Sequence, residues 1–216
     1  MSAHIMTGSM SAHIVTGDRI VFDPVAHSYA VNGQPYPSVS HILGKMGLRG
    51  DQKWPAWAAA RGSAVHEAIK TVESGIIKPD AYAETEIAPR LSAWLKAKQD
   101  LRLEGPWTIE QPTVDTLLGY SGTPDCQCMR AGAPCLIDWK NGSLEPWHGL
   151  QLAAYAMFSG IRARFILELR ADGSYRLHDR WQDELFSARS WDKYWMEAVS
   201  LWHWQDRHVG KEKKAC

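Results

Sequence analysis

The sequence carries no surplus charge of either sign: its 216 residues hold 24 Lys+Arg against 24 Asp+Glu, for a formal net charge of zero and a pI near 7.1. A surface that attracts polyanions everywhere is therefore excluded, and any polyanion site must be local. Cysteine is scarce. The four residues are Cys126, Cys128, Cys135 and Cys216, three of them within one short stretch, which excludes a secreted disulfide framework and points to a reducing compartment. Long apolar runs are missing, as are the basic start and apolar block of a signal peptide, so a cytoplasmic protein with no membrane association is expected. The chain also lacks a glycine-rich phosphate loop and any βαβ repetition. Rossmann and P-loop nucleotide-binding folds are thus poor matches.

What is present is the mix of a soluble globular chain: 45% hydrophobic and 22% charged residues with mean hydropathy −0.33, enough for one domain, expected over 18–210. The near duplication MSAHIMTG, MSAHIVTG reads as an alternative start around Met10 or a cloning scar, so 1–17 is expected to be disordered and outside the fold. The tail 211–216 is expected to fray.

Periodicity divides the rest. Asn32 and Gly33 mark a tight hairpin, followed by a short helix opened by Pro37 and Ser38. Trp54, Trp57, Ala58, Val65, Ile69 and Val72 recur near helical spacing, and Ile87, Leu91, Trp94 and Leu95 form a second helical stripe within 84–103. Segments 107–114, 117–120, 125–129 and 135–140 read as consecutive strands of an antiparallel meander. A helix over 146–158, a strand pair over 164–170 and 175–180 around Asp172 and Gly173, and a Trp-rich helix over 186–208 complete an α+β arrangement. A central mixed sheet flanked by helices is expected.

The chemistry concentrates in GYSGTPDCQCMRAGAPCLIDWKNG. Read as a hairpin with its turn at Gly132, this segment puts Asp125 seven residues before the turn and Trp139 seven after it, so Asp125 falls opposite Asp138 and Lys140. Strand alternation sends Asp138 and Lys140 to one face and Trp139 to the other. Two close carboxylates repel unless a cation lies between them, and hard oxygen ligands suit Mg²⁺ or Mn²⁺. Lysine two residues on supplies positive charge near a reacting phosphate or hydroxide. D-x-K alone is a weak signal, and Asp51, Gln52 and Lys53 spell it too. Only Asp138 follows an apolar run, Cys135, Leu136 and Ile137, with a second acid across a turn.

With RGSAVHEAIK, GTPD, IDWK and QLAAYA in that order, the chain resembles the PD-(D/E)xK nuclease superfamily and its RecB-like, lambda-exonuclease-like branch, including phage exonucleases. The matching blocks run from His66 to Tyr155. This resemblance implies an α/β/α restriction-endonuclease-like core. It implies a metal-dependent DNA exonuclease acting at ends, on single-stranded or resected DNA, in phage or bacterial recombination, repair or replication. One or two Mg²⁺ or Mn²⁺ ions would be held by Asp125, Asp138, the Trp139 carbonyl and His66, with Lys140 assisting the nucleophile. Gln151 and Tyr155, i and i+4 on one helix, would contact phosphate or orient the lysine, and Arg61 and Lys70 would add positive charge for DNA. Glu110, in WTIEQP, is expected behind the ligands. The resemblance also implies a recombination partner protein, and host cytoplasm as the setting if the enzyme is phage-encoded. The branch's iron–sulfur cluster needs one cysteine before the core and three after it; here the order differs, and no cluster is expected. Cys126 and Cys128 read instead as small buried hydrophobes. A structure-selective endonuclease and a non-catalytic, nuclease-derived DNA-binding subunit stay open as alternatives.

Overall fold

The computed structural model describes residues 14–16, 19–49, 55–179 and 191–209. A meander of β2 (Ile20–Asp23), β3 (Ser28–Val31) and β4 (Gln34–Tyr36) comes early in the chain. Its second turn uses Asn32 and Gly33 at φ 51° and 78°, the left-handed pair that a two-residue hairpin loop requires. Ser38 then caps α1 (Val39–Lys45), its Oγ accepting the His41 N–H at 3.1 Å, a cap worth about 1 kcal/mol.

Two longer helices follow, α2 (Ala56–Glu73) and α3 (Ala88–Asp100). They cover one face of a five-stranded mixed sheet built from β5 (Leu103–Ile109), β8 (Cys126–Arg130), β9 (Ala133–Lys140), β10 (Arg164–Leu169) and β11 (Tyr175–Asp179), in the order β11-β10-β9-β8-β5. Only β9 and β10 run parallel, joined through α4 (Trp147–Ser159); the other pairs are antiparallel. With α4, α1 and α5 (Trp191–His208) on the opposite face, the molecule is α+β with helices on both sides of a central mixed sheet.

Strand alternation explains the two cores. Cys135, Ile137 and Trp139 of β9 point with Phe165 and Leu167 of β10 toward Val65, Ile69, Leu91 and Trp94. Leu136 and Ile166 point the other way, toward Val39, Ile42, Leu150, Ala153 and Trp195. Trp94, Trp139 and Trp195 are fully buried, whereas Trp57 and Trp204 are exposed. Cys126, Cys128 and Cys135 are buried free thiols in the first core, and Cys216 lies outside the described residues.

Three expectations change. Ile14–Thr16, placed outside the fold with 1–17, forms β1 and pairs antiparallel with β6 (Thr113–Asp115); the rest of that segment lies outside the described residues, as does the tail 211–216. The expected meander divides between two sheets: β6 pairs with β7 (Tyr120–Gly122), while β5 pairs with β8. Alternating patterns identify strands but carry no information on which sheet takes them. The segment 117–120 is mostly turn, because Asp115 Oδ1 accepts the N–H groups of Leu117 and Leu118 at 2.9 and 2.8 Å, a local alternative to the ladder. Of the final helix predicted over 186–208, the part before Trp191 lies outside the described residues. No helix among the described residues is long and apolar enough to cross a membrane.

Candidate active site

The β8–β9 hairpin turns at Ala131 and Gly132, φ 49° and 79°, one half-step earlier than a turn centred on Gly132. Cys126 pairs with Ile137, so continuing the register by one residue places Asp125 beside Asp138 rather than beside Trp139. The Asp125 side chain bends back onto the strand, where its Oδ2 accepts the Trp139 N–H at 2.7 Å. Its backbone carbonyl accepts the Glu110 N–H at 3.0 Å. The end of β5, the approach to β8 and the end of β9 are thereby tied at one point.

Asp138 is fully buried. The Lys140 ammonium lies 2.6 Å from its Oδ2, yet neither carboxylate oxygen receives a well-directed hydrogen bond. Burial raises the Asp138 pKa well above the usual carboxylate range; the Lys140 charge opposes this and the Asp125 charge adds to it. Lys140 also donates to Gln151 Oε1 at 3.0 Å, and Gln151 Nε2 donates to the Tyr155 hydroxyl at 3.1 Å. Both partners lie on α4, one turn apart, as i, i+4 spacing requires. Burial first, then the Asp125 and Asp138 charges, drive the Tyr155 pKa upward, so the phenol stays protonated. Gly122 of β7 makes room for it: a Cβ there would stand 2.8 Å from the Tyr155 ring.

His66 reaches the same point from α2. Its Nδ1 lies 3.1 Å from Glu110 Oε1 and 3.8 Å from Asp125 Oδ1, and its ring meets Trp139 edge-on at 5.5 Å. Burial works against the imidazolium, but the Asp125 and Glu110 carboxylates outweigh it and raise the His66 pKa. Burial likewise opposes the Glu110 carboxylate, and the His66 contact reverses the balance and lowers its pKa. Lys70, one turn after His66, places Nζ 4.0 Å from Glu110 Oε2.

Asp125, Asp138, Lys140, Gln151, Tyr155, His66 and Glu110 therefore belong to one connected set. Glu110, expected behind the ligands, contacts His66 Nδ1 from a backbone at φ 47°, a conformation unusual for a non-glycine residue. Arg61 is not in this set; its Nη1 lies 4.0 Å from Glu86 Oε1, just before α3. No three His, Cys, Asp or Glu side chains among the described residues are gathered as a ready metal cage. The donor chemistry nonetheless suits a hard divalent cation: two carboxylates, one of them buried with unsatisfied oxygens, and an imidazole 3.8 Å from the other. No protein-family model matches the chain, and no curated protein matches it.

Proposed function

We propose that the chain is a metal-dependent deoxyribonuclease that hydrolyses phosphodiester bonds at DNA ends, on single-stranded or resected substrates, in phage or bacterial recombination, repair or replication. The observation that carries this reading is the buried Asp138 carboxylate, poorly satisfied, held between Lys140 and the Asp125 approach to β8. A carboxylate in that state is costly unless a cation completes it.

Asp125, Asp138, the Trp139 carbonyl and His66 would hold Mg²⁺ or Mn²⁺. When bound, the ion supplies Lewis acidity toward the phosphate and lowers the pKa of a coordinated water. The chain's own groups do the rest. Lys140 presents an ammonium to the developing negative charge, and Gln151 fixes its direction through Oε1 while Tyr155 fixes Gln151. Glu110 sets the ring orientation of His66 by engaging Nδ1, so that Nε2 would be the nitrogen that binds the ion. A cytoplasmic setting, the host's if the gene is a phage's, follows from the same reading.

Incubation of end-labelled linear and covalently closed circular single-stranded DNA with Mg²⁺ or Mn²⁺ tests it. Loss of linear but not circular substrate supports an exonuclease. Cleavage of circles assigns a structure-selective endonuclease, and tight binding without any cleavage contradicts the proposal.

A further inference from the structure

Arg49 follows α1, and the backbone fixes where it starts from. Gly47, at φ 68°, ends the helix, and the N–H groups of Leu48 and Arg49 both turn back to the Leu43 carbonyl at 2.9 and 3.1 Å, a closure typical of helix C-termini. From there the exposed Arg49 side chain reaches α4. Its Cζ stands 5.2 Å from the centre of the Trp147 ring, a cation–π contact that holds the guanidinium against the indole. No carboxylate among the described residues pairs with it.

Trp147 opens α4 and packs half-buried at the edge of the second core. Gln151 is its i, i+4 neighbour, about 6 Å further along the same side of the helix, and Gln151 Oε1 accepts the Lys140 ammonium at 3.0 Å. The Arg49–Trp147 pair therefore sits one helical turn from the residue that orients Lys140. His148, between them in sequence, agrees with this placement: burial, then the Lys140 and Arg49 charges, lower its pKa. A guanidinium packed on a ring keeps its N–H fork in a set plane, and that fork matches the oxygens of a phosphate group. Lys140 serves one phosphate. Arg49 offers an unneutralised cation for another on the solvent side of α4.

We propose that Arg49, braced on Trp147, binds a phosphate adjoining the scissile one in a DNA strand and so positions that strand over Lys140. The placement of the pair beside Gln151 stands by itself, whereas DNA as the source of the phosphate rests on the nuclease reading. A lone arginine would also hold free phosphate; its position one turn from the Lys140 partner favours a strand that spans both cations.

The test uses the full chain, a fluorescent thymidine oligonucleotide and chelator, so that binding is read without cleavage. Arg49→Ala is expected to weaken binding about tenfold and to reduce the slope of log affinity against log salt by about 0.7, the loss of one single-strand phosphate contact. Arg49→Lys should keep the slope and recover only part of the affinity, since the fork is lost. Trp147→Leu should weaken binding about threefold at unchanged slope. With metal present, Arg49→Ala should raise KM about tenfold and leave kcat within about twofold, as a contact away from the reacting atoms does. Its melting temperature should equal that of wild type, because the side chain is exposed. Unchanged affinity and slope in Arg49→Ala overturn the proposal, even if the enzyme cleaves DNA. Loss of stabilisation by inorganic phosphate with no loss of DNA affinity assigns Arg49 to free phosphate and also overturns it. Weakened binding in a protein that never cleaves supports this contact and removes the nuclease reading instead.

Discussion

Asp138 and Lys140, two residues apart on β9, face each other with 2.6 Å between Oδ2 and Nζ inside a sheet that has excluded water from the carboxylate. The pair is unequal: the acid is enclosed, while the lysine reaches toward α4 and retains 17% exposure at its side chain.

That inequality predicts opposite effects on stability. Lys140→Ala strips a buried carboxylate of its cation and should cost about 3 kcal/mol. Asp138→Asn removes the buried charge while keeping the shape, and should melt no lower than wild type. Denaturant titration of the two variants measures the difference, and a clear loss of stability in Asp138→Asn contradicts the account of that carboxylate.

The chain from Lys140 through Gln151 to Tyr155 should act by positioning. Gln151→Leu and Tyr155→Phe are expected to lower the cleavage rate by about ten- to a hundredfold with little change in folding. Steady-state rates on linear single-stranded DNA check this. Rates equal to wild type in both variants would leave the helix pair with a packing role only.

Some of this arrangement is legible in the sequence and some is not. Asp138 and Lys140 stand out because an apolar run precedes them and a turn returns the chain to Asp125; strand alternation then does the placement. Gln151 and Tyr155 are legible because helical spacing puts them on one face. How Glu110 is held is not, since it depends on a backbone bond to the Asp125 carbonyl and a left-handed φ, neither of which has a signature in WTIEQP. The assignment of β6 and β7 to a sheet with β1 escapes for the same reason: pairing partners are long-range facts.

His148 predicts the pH dependence of folding. Its Nδ1 accepts the Glu145 N–H at 3.0 Å near the start of α4, which requires a neutral ring. Burial, reinforced by the Lys140 and Arg49 charges, pushes its pKa from 6.5 down to about 2. The unfolded chain therefore binds a proton that the folded chain refuses. Stability from this group is complete above about pH 6.5 and falls as the pH drops below it, by about 1.4 kcal/mol per pH unit. Urea titrations between pH 7 and 5 should show this loss in wild type and a shallower one in His148→Asn; parallel slopes contradict it.

Glu73 is nearly enclosed, accepting the Trp94 Nε1–H at 2.8 Å and the Lys98 ammonium at 2.6 Å. Glu73→Ala leaves the Trp94 indole N–H without its partner and deprives Lys98 of its anion, for a cost of about 3 kcal/mol. Glu73→Gln keeps an acceptor for the indole and should cost less. Melting temperatures order the three proteins, and an unchanged value for Glu73→Ala would refute the structural role.

The central claim is that Asp125, Asp138 and Lys140 form a metal-dependent hydrolytic site. Its most direct measurement is nucleotide release from uniformly labelled linear single-stranded DNA by wild type, Asp125→Asn and Lys140→Ala, with Mn²⁺ or Mg²⁺ and with chelator. The account predicts release by wild type only with divalent metal, reduced about a thousandfold or more in each variant. No release from wild type with either metal, or equal release by the variants, contradicts it.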